Sequence, residues 1–420
     1  MINKISPSTQ TSSINFGAKP IPTSIVERIQ TRITQSKSAD FFCHTAPDED
    51  TANSVKVLSN WAASLGKKVR MIIEEPFDDL FNIKKSNSFQ IIAPEKVLLS
   101  PKADIAIVVD CNASRRLSPS SNNILSTFLK TDIMGIDHHT PDVSTLIVSQ
   151  DKHATNPFYI DDSARSCSSI VYKFLEQIGH KPPMEDLENL YCGMVDDLKK
   201  NNLVSIVEIK GKNVLIKNPL LNGHKEAELI LDEVESKISP EAKTNILSHL
   251  NILSRLTPEQ KKFQRKLFED KIQITPNGKF AYVILEPDNK EWIKLGQDLN
   301  ANSKILSNFR QRILENKPDD ELISPKLREK ISNVKGVAVF YRGLKTENPN
   351  DELYKMSFHM QDEFGQTLFN EISPTLMKEL RIGGHISRGE TNRGGAFVEC
   401  NDRQKCDYMV NSFLNAVNKL

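Results

Sequence analysis

The chain has 420 residues, enough for two or three domains of ~150 residues and for a core that needs no disulfide staples. Lys plus Arg number 55 against 54 Asp plus Glu, a formal charge of +1, so no global field draws the protein to nucleic acid or anionic lipid, and any recognition of phosphate is local. Cys43, Cys111, Cys167, Cys192, Cys400 and Cys406 form no CxxC pair and no finger spacing, as suits reduced structural thiols, and no apolar run approaches the ~20 residues that span a bilayer.

In chain order, residues 1–24 are rich in Ser and Thr with isolated basic residues, and read as a disordered leader on a cytoplasmic protein. Residues 25–198 then alternate extended and helical patterns. Asp40 to His44 is a short apolar strand, and it feeds a helix with Val55, Leu58, Ala62 and Leu65 at helical spacing, stopped by Gly66. Further strands are predicted over 69–75, 89–93, 104–110 and 131–137, and amphipathic helices around Ile170 to Leu175 and over 187–195. This alternation predicts an α/β fold with a mostly parallel, doubly wound sheet.

Residues 199–270 carry more charge and read as a helical insertion or linker around one hairpin, 204–209 with 214–216, turning at Gly211. Residues 271–420 form a smaller α/β domain, with a boundary falling between about 240 and 270. Its signals are the turn Pro276-Asn277-Gly278, strands over 280–285, 334–341 and 353–360, and a glycine-rich segment from Gly383 to Gly395. A ligand cleft is expected between the two domains.

Acids and imidazoles collect where strands of the first domain end. His44-Thr-Ala-Pro-Asp48-Glu-Asp50 follows one strand, Asp110 closes another, and Asp137-His138-His139 closes a third, while Asp196-Asp197 ends the 187–195 helix. Open α/β sheets bind ligands beyond the carboxyl ends of their strands. Singly, each acid reads as a helix cap or turn former and the His-His pair as a loop feature. Together they form a repelling cluster that needs a cation. Oxygen ligands with some imidazole and no thiolate suit Mn²⁺ or Mg²⁺, with Fe²⁺ and Zn²⁺ still open, and six or more ligands suggest two ions bridged by a carboxylate, suited to in-line displacement at phosphorus. Gly383, Gly384, His385, Arg388 and Arg393 read as a second phosphate-approach element, since paired glycines let backbone N–H groups come close to an anion.

In order and spacing, His44-Thr-Ala-Pro-Asp48-Glu-Asp50, Val108-Val109-Asp110, Asp137-His138-His139 and Gly193-Met-Val-Asp-Asp197 resemble the four motifs of the DHH phosphoesterase superfamily. Gly383-Gly384-His385 resembles the glycine-rich signature of the DHHA1 substrate domain, and the branch resembled is that of short-oligonucleotide exonucleases and 3′-phosphoadenosine 5′-phosphate (pAp) phosphatases. The resemblance implies a two-metal hydrolase acting on a small nucleotide or a short single-stranded oligonucleotide, away from membranes, with a homodimer among the expected assemblies. It implies one Mn²⁺ on His44 and Asp48, a second on Asp50, His138 and Asp197, and Asp110 bridging them. Asp137 would orient its neighbouring histidine, and His139 would meet the phosphate or leaving group. Gly383, Gly384, His385 and Arg388 would hold the substrate. Alternatives within the same reading are a cyclic dinucleotide phosphodiesterase and a nucleotide-binding protein with little or no turnover. Glu49, Asn53, Leu198-Lys199 and His359 depart from the family pattern.

Overall fold

The computed structural model describes residues 20–45, 47–73, 80–83, 88–97, 101–139, 141, 146–147, 158–253, 255–286, 289–295, 305–306, 308–318, 320–342, 353–361, 393–399 and 402–419. The glycine-rich residues Gly383, Gly384, His385 and Arg388, like residues 1–19 and Cys400, lie outside the described residues. The chain divides into two units, Met1–Ile252 and Leu253–Leu420.

The first unit opens with α1 (Thr23–Gln35), then runs β1 (Ser38–Phe42), α2 (Glu49–Ser64), β2 (Lys68–Ile72), β3 (Gln90–Ile92), α3 (Pro94–Val97), β4 (Ile105–Val109), α4 (Pro119–Ser126), β5 (Ile133–Asp137), β6 (Phe158–Ile160), α5 (Cys167–Gln177) and α6 (Met184–Lys200). Its six strands are all parallel, in the order β3-β2-β1-β4-β5-β6. Chain direction through the sheet therefore reverses between β1 and β4, and at such a switch point the following loops part and leave a crevice. The sheet is covered on both faces. Phe42, Ile72, Ala106 and Val108 pack with Val97, Ile124 and Leu125 of α3 and α4. On the other side α2 packs against β1, β2, α5 and α6, and Trp61 meets Phe174 edge to face at 5.3 Å.

Helix entry is chemically defined. Asp48 caps α2 by accepting from Thr51 N at 3.0 Å, Ser118 caps α4, and Ser166 caps α5 by accepting from Ser169 N at 3.1 Å. Strand β6 is not among the predicted elements, because its three residues are too few for a visible alternation. Helix α6 runs on to Lys200, beyond the expected end at Val195, so Asp196 and Asp197 lie within its last turns rather than past its end.

The hairpin β7 (Val204–Ile209) and β8 (Lys212–Lys217) follows, then α7 (Lys225–Lys237) and α8 (Pro240–Leu253). In the second unit come α9 (Pro258–Lys266), β9 (Gln273–Ile274), β10 (Phe280–Ile284), α10 (Lys290–Leu295), α11 (Asn308–Glu315), α12 (Pro325–Lys330), β11 (Gly336–Arg342), β12 (Leu353–Met360), β13 (Arg393–Glu399) and α13 (Arg403–Asn418). Among the described residues its five strands are ordered β13-β12-β11-β10-β9, with only β10 and β11 parallel. The end of the glycine-rich segment, Arg393 to Gly395, is not loop but the start of edge strand β13. Gly395 pairs with Ser357, where a Cβ would meet Met356 O at 2.6 Å.

Candidate metal centre

The last register pair of β1 and β4 is Phe42 with Val108, and two residues further on come His44 and Asp110, one from each side of the switch point. Asp110 has φ +58°, a left-handed backbone that Asp tolerates better than most residues. That turn leaves its carboxylate 1% exposed, with Oδ1 3.2 Å from His138 Nε2 and 3.3 Å from His139 Nδ1 and Oδ2 3.6 Å from His44 Nε2. Asp137, the last residue of β5, delivers the two histidines to the same edge.

Asp50, fully buried in the first turn of α2, accepts from Cys167 N at 2.6 Å and Ser168 N at 2.9 Å, so it also sits on the N-terminus of α5, where a negative charge is favoured. Its Oδ2 lies 3.9 Å from His138 Nε2, and Asp197 Oδ2 lies 3.3 Å from the same nitrogen. Helix α6 comes this close because position 193 is glycine: a Cβ there would meet Ser168 Oγ at 2.2 Å and the Asp50 backbone at 3.0 Å. Asp196, one residue earlier, turns to Lys200 at 2.5 Å and has no such approach to His138.

Three overlapping ligand sets result: His44, Asp48 and Asp110; Asp50, His138 and Asp197; and Asp110, His138 and His139. The motif residues of the first domain are thus brought together around Asp110. A fourth set, Asp48, Asp196 and Asp197, surrounds Lys200. Asp137 Oδ1 accepts from His139 N at 3.0 Å and from His139 Nδ1 at 2.8 Å, so the histidine it orients is His139, whereas His138 Nδ1 faces Ala164 O at 3.4 Å.

The electrostatics show how strongly the clustered acids interact. Burial, Asp197 and Asp110 together push the Asp50 carboxyl well above the carboxylate range, and burial lifts Asp197 to about 6. Burial also opposes charge on Asp110 and Asp48, yet His139 and His138 hold the first well below its usual value, and Lys200 and His44 hold the second low. On His139, burial and Arg116 oppose protonation, but Asp137 and Asp110 prevail and raise it to about 9. The buried carboxylates thus repel one another, and protons or positive groups nearby relieve that repulsion. Two buried oxygens, Asp110 Oδ1 and Asp137 Oδ2, have no hydrogen-bond partner, which suits the first to a cation and agrees with an oxygen-and-imidazole donor set.

The DHH family, N-terminal domain, matches residues 41–194, the stretch that holds nearly all of this geometry. The chain carries a DHH-family domain. An exopolyphosphatase-related protein from Bacteroides fragilis is similar in structure over 96% of this chain and 98% of its own, with a TM-score of 0.57 and 16% identity. RecJ from Thermus thermophilus, solved in complex with Mn²⁺, aligns over 95% of this chain and 56% of its own, at a TM-score of 0.43 and 15% identity. No curated protein matches the chain. At such identities the likeness is one of fold.

Several residues at the DHH centre escaped sequence reasoning. Thr51 Oγ1 lies 2.7 Å from His44 Nε2 and 2.9 Å from Asp48 Oδ1 and also reaches Asp110 Oδ2, with one proton to donate to either carboxylate. Lys200 reaches back from the end of α6, and a signal for it existed in the i+3 and i+4 spacing from Asp197 and Asp196. Glu49, where the DHH pattern favours glycine, is 2% exposed and bonds Phe81 N, Asn53 Nδ2 at 2.9 Å and His249 Nε2 at 2.6 Å, tying α8 to the start of α2 between two candidate ligands. Nothing in the sequence near Glu49 points to a partner two hundred residues away.

Proposed function

We propose that the chain is a divalent-metal-dependent phosphoesterase that hydrolyses small nucleotide phosphates such as pAp, or short single-stranded oligonucleotides. The observation that carries this reading is Asp110 Oδ1, buried, without a hydrogen-bond partner, and within 3.3 Å of both His138 and His139 at the sheet's switch point. Asp50, Asp110, His138 and Asp197 would hold one ion, and His44, Asp48 and Asp110 a second. Divalent ions in such sites activate water and neutralise phosphoryl oxygens.

The protein's own part follows from its hydrogen bonds. Asp137 fixes the His139 ring through Nδ1 and leaves the imidazole charged and 30% exposed, ready to donate to a phosphoryl or leaving-group oxygen. The α5 N-terminus holds Asp50 in place, so the ligand does not reorganise when charge changes nearby. A net charge of +1 supports a small substrate over a long polymer, whose phosphates would call for a basic tract.

The test is an assay of the purified full chain with Mn²⁺ against pAp, a dinucleotide and cyclic di-AMP, with EDTA as control. Chelator-sensitive release of phosphate or mononucleotide from pAp or the dinucleotide is expected. Preference for cyclic di-AMP would move the substrate class to cyclic dinucleotides. Ions bound but no turnover on any of the three would leave a nucleotide-binding protein in place of an enzyme.

A further inference from the structure

The two ion positions are not chemically equivalent. At the inner one, Asp110 Oδ1 has no hydrogen-bond partner and faces only the imidazoles of His138 and His139, the first itself a candidate ligand, and each Asp50 oxygen accepts a backbone N–H. At the outer one the ligand atoms already have partners. Thr51 Oγ1 lies within reach of His44 Nε2, Asp48 Oδ1 and Asp110 Oδ2, with one proton to donate to either carboxylate, and Thr51 N donates to Asp48 Oδ1. The remaining Asp48 oxygen, Oδ2, takes Lys200 Nζ at 2.6 Å.

Lys200 is not a casual surface pairing. Its ammonium also lies 2.5 Å from Asp196 Oδ2 and 3.5 Å from Asp197 Oδ1, so three carboxylates from two helices converge on it. Helical geometry aims it there, since Asp196 and Asp197 stand one turn before it on α6. Both oxygens of Asp48 thereby have partners within the chain, one of them an ammonium group.

We infer that Lys200 is a tethered counter-cation that neutralises Asp48 at the edge of the His44–Asp48–Asp110 position, so that the centre takes one divalent ion tightly and a second only by displacing the lysine from Asp48. The inference rests on the metal-centre reading proposed above and makes Lys200 a positioning residue that sets how many ions the site holds at a given metal concentration. A lysine charge in place of an ion also lessens the charge lost when metal is scarce.

The experiment is Mn²⁺ titration of the full chain by calorimetry, with free Mn²⁺ followed by electron paramagnetic resonance, for the wild type, Lys200→Met, Lys200→Arg and Asp196→Asn. The wild type is expected to bind one ion tightly and another about tenfold or more weakly, and Lys200→Met to tighten the weaker ion by about tenfold while moving the tighter, whose ligand Asp197 lies further from the lysine than Asp48 does, by clearly less. Lys200→Arg keeps the charge and should retain the weak second ion. Asp196→Asn loosens the lysine without touching His44, Asp48 or Asp110, and should give an intermediate gain even if the methionine variant folds poorly. Metal-free Lys200→Met should melt below the wild type, and Mn²⁺ should restore more of its stability. Two ions of equal affinity in the wild type, or an unchanged second ion in both Lys200→Met and Asp196→Asn, would overturn the inference while leaving a metal-dependent enzyme standing. Absence of any bound ion in all four proteins would take the metal-centre reading down with it.

Discussion

The two larger sheets of this protein are built from similar residues and do different things with their ends. All six strands of the first run parallel, so every carboxyl end emerges on one edge, and Asp110, Asp137 and the loop after β1 gather there. In the second, only one pair is parallel, so strand ends alternate between edges. Both its faces are apolar: Ala281, Val283, Val337 and Val339 enter one cluster, and Phe280, Ala338, Phe340, Met356 and Phe358 the other. Among the described residues, every candidate ligand set belongs to the first unit. Strand direction, more than composition, decides where charge can be concentrated.

The comparison breaks first at Asp110. Asp110→Asn keeps a residue that tolerates left-handed backbone, and removes only charge. Hydrolysis should fall by more than the ~10–100-fold typical of losing an outer partner of a ligand. Rate and metal content, measured together, check this, and wild-type turnover would remove Asp110 from the centre. In the second unit the matching test is Phe413→Ala on α13, whose ring packs on Phe280, Phe340 and Phe358 with centroids 5.6, 6.1 and 5.5 Å away. Denaturant unfolding should show a loss of ~3–5 kcal/mol while Mn²⁺ affinity stays unchanged, and a parallel drop in affinity would mean the units are not independent.

A smaller effect is expected at Asp137→Asn, where His139 loses the charge that orients it. We expect kcat to fall ~10–100-fold, with the alkaline limb of its pH profile moving down because Asp137 is what raises His139 against burial. The smallest test concerns Asp186 on α6, which burial lifts to about 6 although Asn60 donates to it at 2.7 Å. The folded state holds this proton more tightly than the unfolded chain does, so the contribution is complete below ~pH 4 and disappears as pH rises through about 6. Unfolding of metal-free protein should show a pH-dependent contribution on the order of 1–2 kcal/mol across that window, absent in Asp186→Asn.

Much of this is legible in the sequence, and for a physical reason. Parallel strands buried on both faces are continuous apolar runs, so those ending at Val109 and Asp137 announce themselves, and the acids that follow mark the edge. The four motifs lie within a few residues of those ends, so their convergence follows from the sheet alone. What was hidden depends on partners far apart in sequence or on elements too short to show a period. Thr51 reads as an ordinary first-turn residue, Lys200 as a solvated helix end, and Glu49 as an extra surface charge, until α6 and α8 fold back on them. Strand β13 begins Arg-Gly-Gly, which reads as turn, because edge pairing with β12 supplies what propensity does not.

Cysteine chemistry offers one more consequence. Cys111, Cys167 and Cys192 are buried free thiols that adjoin the centre: Cys111 follows Asp110, the Cys167 amide holds Asp50, and Cys192 Sγ lies 3.7 Å from Glu49. Burial pushes Cys111 up to about 12 and the other two well above the usual thiol range. Since the thiolate is the reactive form, a folded centre keeps all three silent toward alkylating and oxidising reagents near neutral pH. The first domain therefore carries its own clock: each thiol modified records one opening of the structure around it, and the rate of modification counts how often the centre comes apart.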